Sequence, residues 1–426
     1  MSEEATLDEF VEQGDKNSLE FVETAAGEIP VDWDTLNVEM LCELRNGKAT
    51  DHTDIGEQAN LVYGSNGPIG SYSESNFEEG LIFGRVGAVG EVERIREPVW
   101  VSDNAIQATV NDRCNTDFLY YFLSDKELSS LATKTAQPLL NQSTIGNVSV
   151  PLPPLPEQRK IATVLYTVDR AIENAEEIET QLQRVKKGAT QKLFTFGPNN
   201  EDTQSHHIGD FPQSWEFNKV SNLAAIERGS TPRTSNDEYY GGEIAWVTPD
   251  DLSDLNEEGN GKYISDSGRK LTPEGVESSS LTVVEPDSIM FTSRSYGIGR
   301  TAICTVPAAT NQGITAFECG TSLDTGFFYY YLNYIMDYVV SISGGSTFPE
   351  ISKSATENID VPVPEIDEQQ EIASILSQFD EQILHNREVM NQLKRLKRGL
   401  QQDLLSGKVR TTDTNIEAPD EITQHG

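Results

Sequence analysis

Two long stretches of the chain place apolar residues with the period of an amphipathic helix. In the first, Ile161, Leu165, Val168, Ile172, Ala175, Ile178, Leu182, Val185, Ala189 and Leu193 recur mostly at threes and fours. In the second, Ile372, Leu376, Phe379, Ile383, Asn386, Val389, Leu393, Leu396, Leu400 and Leu404 repeat that register 211 residues later. Pro156 suits the first turn of one helix and Asp367 caps the other. Lys186 and Lys187, and Lys394, Arg395, Lys397 and Arg398, suit the two C-terminal ends. Gly188 and Gly399 interrupt both at the same place. From Glu157 to Phe194 a helix runs about 57 Å at 1.5 Å per residue. So narrow a stripe on so long a helix calls for a helical partner, and its own copy is the nearest one. Ile161, Leu165, Ile172, Leu182 and Leu193 are the expected packing residues, with Ile372, Leu376, Ile383, Leu393 and Leu404 opposite them.

The repeat extends upstream. Ile-Pro-Val-Asp-Trp at 29–33 matches Phe-Pro-Gln-Ser-Trp at 211–215, and Trp33 to Gly47 spans the same 14 steps as Trp215 to Gly229. GRVGAVG (84–90) matches SRSYGIG (293–299), which sets Arg85 opposite Arg294. DFLYYFL (117–123) matches GFFYYYL (326–332), and these aromatic runs predict short helices. The runs EIAWVTP, SIMFTSR and RTAICTV, set between Gly, Pro and Asn turns, predict strands. The second copy carries 27 more residues between Gly229 and Arg294 than the first does between Gly47 and Arg85.

The expected class is α+β, with two mixed α/β modules each followed by a long helix. The boundaries read as an acidic N-terminal segment (1–28), a first module (29–150), a long helix (151–196) and a polar linker (197–210). A second module (211–362), a second long helix (363–407) and an acidic tail (408–426) complete the chain. A length of 426 residues suggests two or three domains.

Charge changes the picture. Against 32 Lys and Arg stand 69 Asp and Glu, a net of −37, which excludes a binder held to nucleic acid by bulk charge alone. The two helical segments escape this bias, with nets near zero. A carboxylate-rich surface on a chain with 15 lysines points to a salt-rich host. The acidic opening is unlike a signal peptide, and no stretch is apolar enough to span a membrane, so a cytoplasmic protein with no membrane partner is expected. Cys42, Cys114, Cys304 and Cys319 form no C-x-x-C pair and read as buried thiols. The adjacent His206 and His207 read as part of the solvated linker, and no metal site is expected.

Catalytic motifs are missing. No lysine stands in P-loop spacing, none has an acid two residues before it, and no Asn- or Asp-Pro-Pro-aromatic motif occurs. GRVGAVG reads as a turn in a strand pair, because EVERIREPVWV follows it instead of a helix.

At the repeated L-P-x-x-E-Q-like helices the chain resembles the DNA-specificity subunit of type I restriction-modification systems. The likeness covers about residues 29–408. It rests on the Pro-x-x-Trp openings, RGSTPRTSNDEYYGGEIAWVTPDDL (228–252), GGSTFPEISKSATENIDVPVPEIDEQQEIA (344–373) and the duplicated helix. The first module departs from it, with NGKATDHTDIGE (46–57) where a G-x-T-P stretch is expected. The resemblance implies two target-recognition domains, each reading half of a bipartite, asymmetric site on double-stranded DNA. The helices then pack antiparallel with pseudo-twofold symmetry, and their length sets the unread spacer. It implies two modification subunits that bind S-adenosylmethionine and methylate adenine, and restriction subunits that use ATP and Mg. This chain itself needs no cofactor and catalyses nothing in that scheme. A repeated scaffold with divergent modules fits, since a homodimer reads only symmetric sites. On that reading the local basic and amide residues of the acidic modules are the candidate DNA contacts. They are Arg45, Lys48, Arg85 and Asn104 in the first module. In the second they are Arg228, Thr231, Arg233, Arg294, Tyr296, Asn311 and Gln312. Trp33 and Trp215 read as core anchors. The other reading of the chain is a coiled-coil adaptor with two protein-binding modules and no sequence preference on DNA.

Overall fold

The computed structural model describes residues 20–50, 59–134, 138–257, 261–294, 297–344, 350–419 and 422. Four helices organise it: α1 (Thr116–Ser124), α2 (Leu155–Phe196), α3 (Thr325–Tyr334) and α4 (Ile366–Leu405). The chain divides into two units, one of residues 1–174 and 391–426, the other of residues 175–390. Each therefore holds one module and half of each long helix.

Unit 1 opens with the hairpin β1 (Phe21–Thr24) and β2 (Gly27–Pro30), followed by β3 (Asp34–Asn37). Its main sheet comprises β4 (Cys42–Asn46), β7 (Gly80–Gly84), β8 (Val92–Ile95) and β10 (Ala105–Val110), in the order β4-β10-β7-β8 and antiparallel throughout. A smaller sheet holds β5 (Asn60–Gly64), β6 (Gly67–Tyr72) and β9 (Trp100–Val101), with β5 and β9 parallel. A last strand, β11 (Ser149–Leu152), returns to pair with β3 and leads through Pro153 and Pro154 into α2.

Unit 2 repeats this plan. Its hairpin is β12 (Thr203–His206) with β13 (Gly209–Pro212), and β14 (Glu216–Lys219) follows. The main sheet runs β15-β22-β19-β20-β17, from β15 (Ala224–Arg228), β17 (Tyr263–Ile264), β19 (Ile289–Thr292), β20 (Thr301–Cys304) and β22 (Ile314–Cys319). The smaller sheet holds β16 (Tyr240–Val247), β18 (Lys270–Leu271) and β21 (Ala308–Thr310), with β16 parallel to β21. β23 (Asp360–Val363) pairs with β14 and leads into α4. The additional residues of this copy supply edge strand β17 and the helices Pro249–Glu257 and Pro273–Ser278.

Two boundaries differ from the sequence reading. Residues 197–210 were expected to be a linker, yet they contain β12 and the start of β13; residues 1–28 likewise contain β1 and the first half of β2. Both hairpins are four-residue strands of mostly polar sequence, too short and too weakly alternating to register as strands. They exist because the chain reverses there: Phe211 and Ile29 are buried at the hairpin ends.

The aromatic runs lie in α1 and α3, whose N-caps Asn115 and Asp324 accept from the amides of Phe118 and Phe327. In unit 1 the start of α2 (Ile161, Leu165) and the end of α4 (Leu404, Leu405) enter one core with Trp33, Phe118 and Leu119. In unit 2 the end of α2 (Leu193, Phe194) and the start of α4 (Ile372, Leu376) join Phe211, Trp215, Phe327 and Tyr331. Ile172 and Ile383 are buried too, while Leu182 and Leu393 are half-buried. The stripe is not buried along its length: Ile178, Val185 and Leu396 are exposed. The physical reason is that module cores cover the helix ends, and the middles have only the facing helix.

The pairing is antiparallel in both units. In unit 2 Asn386 Nδ2 donates to the Ala175 carbonyl (2.7 Å) and Arg387 meets Glu179 (2.8 Å). In unit 1 Lys397 meets Asp169 at 2.5 Å, and at the repeat-equivalent positions of unit 2 Lys186 pairs with Asp380. Cys42, Cys114 and Cys304 are buried and Cys319 is half-buried; burial pushes the Cys42 and Cys319 thiols up to about 12, so they are inert at neutral pH.

Candidate nucleic-acid interface

The frame of the candidate site is fixed at the first turn of each long helix. The carboxylate of Glu157 accepts from Trp33 Nε1 (3.2 Å), and that of Glu368 accepts from Trp215 Nε1 (3.0 Å). The next residue does equivalent work in each copy. Gln158 accepts from the Asn115 amide at 2.7 Å, Gln369 from the Asp324 amide at 2.8 Å. Each glutamine also donates back to a proline carbonyl, Pro153 or Pro364. The Glu-Gln pair of the repeated motif therefore pins the Pro-x-x-Trp opening and the cap of the aromatic helix to the long helix. About three turns further along each long helix, Tyr121 Oη donates to Asp169 (2.9 Å) and Tyr330 Oη to Asp380 (2.5 Å). Lys397 and Lys186 lie over those two rings. Burial and the neighbouring carboxylates raise both phenols, so they stay donors.

On this frame the main sheets present matching ends. Gly47 and Gly229 each end the first strand, and a Cβ on either would fall about 2 Å from a backbone carbonyl, that of Ser102 or Asn311. Only glycine permits so close an approach. Arg85 follows β7 and Arg294 follows β19, the corresponding strand.

In unit 2 the sequence candidates converge. Ser230 N donates to the Thr310 carbonyl (3.0 Å), Ser293 N to that of Gly313 (2.9 Å), and Ile351 N to that of Ser293 (2.9 Å). Thr231 Oγ1 donates to Gln312 Oε1, and Asn311 Oδ1 holds the Gly313 amide. Arg228 donates to the Ile351 carbonyl and faces Glu350 at 3.5 Å; Arg294 faces the other oxygen of Glu350 at 3.6 Å. Arg233 is exposed and makes no ion pair among the described residues. Tyr296 lies outside the described residues. Arg228, Thr231, Arg294, Asn311 and Gln312 thus occupy one end of the unit, with Arg233 on the adjoining loop.

Three supporting residues were not singled out from sequence. Trp246 Nε1 donates to the Ser230 carbonyl (3.2 Å), Tyr240 Oη to that of Pro232 (2.8 Å), and Arg269 stacks 4.8 Å from both ring centroids. They fix the loop that carries Thr231 and Arg233. Glu350 was also missed. Its signal was its place in the quoted stretch 344–373, but pairing to two distant arginines is a tertiary fact.

Unit 1 brings fewer together. Arg85 N donates to the Asn104 carbonyl (2.9 Å) and its guanidinium to that of Asp103 (3.2 Å); Lys48 N donates to Val101 (2.9 Å). The Lys48 carbonyl accepts from Trp100 Nε1 (2.8 Å). Lys48, Arg85 and Asn104 share an end of the sheet. Arg45 is engaged instead by Glu43, two residues earlier on its own strand, at 2.5 Å.

The comparisons agree with this duplicated layout. A family model described as "Type I restriction modification DNA specificity domain" matches twice, at residues 30–184 and 212–395. The chain is 36% identical over 188 residues to the type I restriction enzyme MjaIX specificity subunit of Methanocaldococcus jannaschii, a match covering 44% of this chain and 42% of that one. It is 23% identical over 430 residues to the type I restriction enzyme EcoDI specificity subunit of Escherichia coli, covering 94% and 93%. Among solved structures, the type I restriction-modification S subunit from M. genitalium superposes with a TM-score of 0.61 at 18% identity, over 87% of this chain and 96% of that one.

Proposed function

This chain belongs to the type I restriction modification DNA specificity family, and from that membership we propose that it reads a bipartite, asymmetric DNA site, one half with each module. The observation that carries the reading is the pair of matched sheet ends. Both copies hold a glycine-tight strand end and an arginine after the third strand, while the surrounding side chains differ. A common frame with different reading groups is what two different half-sites require.

In unit 2, Arg294 and Arg228 supply guanidinium donors for guanine edges or phosphates, and Asn311 and Gln312 supply amides suited to adenine. In unit 1 the corresponding groups are Lys48, Arg85 and Asn104. The exposed apolar residues along the helix middles, Ile178, Val185 and Leu396, suit docking of two modification subunits. Those subunits bind S-adenosylmethionine and methylate adenine; restriction subunits with ATP and Mg cut the DNA. The chain is the non-catalytic selector among them, in a salt-rich cytoplasm where phosphate attraction is weak and base contacts carry more of the binding. Among the described residues no helix is long and apolar enough to cross a membrane.

Methylation mapping of genomic DNA with and without this gene tests the reading. Loss of one bipartite, asymmetric adenine-methylation motif is expected. An unchanged methylome in a host whose modification subunit is expressed overturns it, and favours the adaptor with two protein-binding modules.

A further inference from the structure

Unit 2 contains a cluster that unit 1 lacks. His206 ends β12, His207 begins the turn after it, and Asp360 opens β23. One nitrogen from each imidazole and one carboxylate oxygen all lie within 4.8 Å of one another. The two Nε2 atoms are 3.7 and 3.6 Å from the same oxygen, Asp360 Oδ2. Tetrahedral coordination with bonds near 2.0–2.1 Å separates ligand atoms by about 3.3 Å, so the two nitrogen–oxygen separations need close by only a few tenths of an ångström.

We propose that His206, His207 and Asp360 bind a single borderline d-block dication of the Zn2+ class, which staples the β12–β13 hairpin to the strand leading into α4.

Four features support a ligand here. Among the described residues His206 makes no hydrogen bond through either nitrogen: its Nδ1 is buried and unpartnered, and its Nε2 lies beyond hydrogen-bond reach of Asp360. An imidazole without partners is costly as it stands, and coordination through Nε2 would give the ring its first partner. The ring is already held, stacked on Phe217 at 4.1 Å with an interplanar angle of 2°. The second oxygen of Asp360 is fixed by Lys219 at 2.6 Å, which leaves Oδ2 for the ion and orients the carboxylate as outer-shell partners do. Burial and the adjacent His207 hold His206 below its ordinary value, in the neutral form that ligates. His207 is half exposed and now meets Tyr338 Oη at 3.2 Å, a contact it would exchange for the ion, with water completing the site. Two imidazoles with one carboxylate suit Zn2+ better than Mg2+ or Ca2+, which take oxygen ligands. At the matching positions of unit 1 stand Thr24 and Ser149, and Thr24 Oγ1 instead donates to the Gly27 carbonyl (2.8 Å).

The experiment uses the full-length chain without a histidine tag, stripped with chelator and held in high salt with excess Mg2+. Mg2+ occupies surface carboxylates but not imidazoles, which matters on a chain with 69 acids. Co2+ is titrated and read by its visible ligand-field absorption, and Zn2+ by displacement of Co2+ and by thermal unfolding. The expected result is one equivalent of tetrahedral Co2+, displaced by Zn2+, and a higher melting temperature with Zn2+. His207→Ala, at a half-exposed position, is expected to fold and to weaken Co2+ binding at least about tenfold. Asp360→Asn is expected to weaken it as well. No ligand-field spectrum from the wild-type chain overturns the proposal. So does a spectrum that survives both His207→Ala and the double change His206→Ala/His207→Ala.

Discussion

The first turns of the two long helices are built alike and finished differently. In unit 1 the Glu157 carboxylate is buried, and besides Trp33 it receives the Nε and Nη2 of Arg410, one at 2.8 Å on each oxygen. The same guanidinium forks onto Asp32 at 2.6 and 2.9 Å and lies over the Trp33 ring. In unit 2 Glu368 has Trp215 but no salt bridge among the described residues, and it is half-buried. Unit 2 compensates with apolar bulk: Phe194 and Phe211 surround Trp215 at ring distances of 6.3 and 6.4 Å. The lesson is that the shared motif specifies a geometry, Trp onto Glu, and leaves each copy to neutralise or solvate the carboxylate in its own way.

The comparison is broken most forcefully at Arg410. Arg410→Ala strands a buried carboxylate, and unit 1 is expected to lose about 3 kcal/mol. Glu368→Gln in unit 2 keeps an acceptor for Trp215 and is expected to change stability by less than about 1 kcal/mol. Denaturant unfolding, followed by hydrogen exchange on segments of each unit, reads the contrast. Equal losses in the two variants would mean the copies are stabilised alike, against what the geometry shows.

Next in size is the tyrosine pair. Tyr121→Phe and Tyr330→Phe each remove a hydrogen bond to a carboxylate, worth about 1.5–3 kcal/mol. Tyr330 also accepts from Lys262 Nζ at 2.8 Å, and Lys262 is buried among Tyr263, Tyr329 and Tyr330. Tyr330→Phe is therefore expected to be the more damaging of the two. A larger loss for Tyr121→Phe would show that Lys262 finds ample support from Ser377, to whose Oγ it also donates at 3.1 Å.

These sites also mark what sequence reasoning reached. The helices, their antiparallel repeat and the Trp, Gly and Arg correspondences were legible because each lies in a local pattern copied at a steady offset on either side of the 27 additional residues. The hairpins β1–β2 and β12–β13 were not, since strands of four residues without apolar alternation carry no periodic signal. The Arg410–Glu157 pair joins residues 253 apart, and no local rule connects them. At the candidate interface local pattern named most of the residues that share the sheet ends, but not their present partners: Glu350 faces both Arg228 and Arg294, and Glu43 takes Arg45. The His206–His207 pair was read as linker because Asp360, 154 residues on, is what turns it into a cluster.

The interface sharpens the comparison through function. In an assembled complex, Arg294→Ala is expected to cost about 1–2 kcal/mol of specific affinity and to relax one half-site, and Arg85→Ala to relax the other. Binding selections on randomised DNA give both answers. Relaxation of the same half-site by both variants would break the assignment of one half to each module. A uniform loss with a shallower salt dependence would make these arginines phosphate contacts, not base readers.

The smallest expected effect is a difference of sign with pH. Arg410 holds Asp32 below its ordinary value of 3.8, chiefly by hydrogen bonding. That contribution to unit 1 is complete above 3.8 and is lost as pH falls through the depressed folded value. Glu368 is shifted the other way: burial raises it above its ordinary 4.5, although the Trp215 hydrogen bond opposes this. A carboxyl raised in the folded state opposes folding when charged. Unit 2 therefore gains as pH falls through the raised folded value towards 4.5, and keeps that gain below it. Asp32 is half exposed, so solvent screening limits its share to well under about 1 kcal/mol. Acidification also relieves the repulsion of a chain of net charge −37, but that term acts on both units, so the quantity to follow is the difference between them. Segment-resolved hydrogen exchange from pH 6 to pH 3.5 should show unit 2 protected relative to unit 1 as the pH falls. In Glu368→Gln the part of that difference arising between pH 6 and 4.5 should disappear, leaving the loss below 3.8 that belongs to Asp32. If the difference in Glu368→Gln is unchanged, the carboxylate at the foot of α4 is not its source.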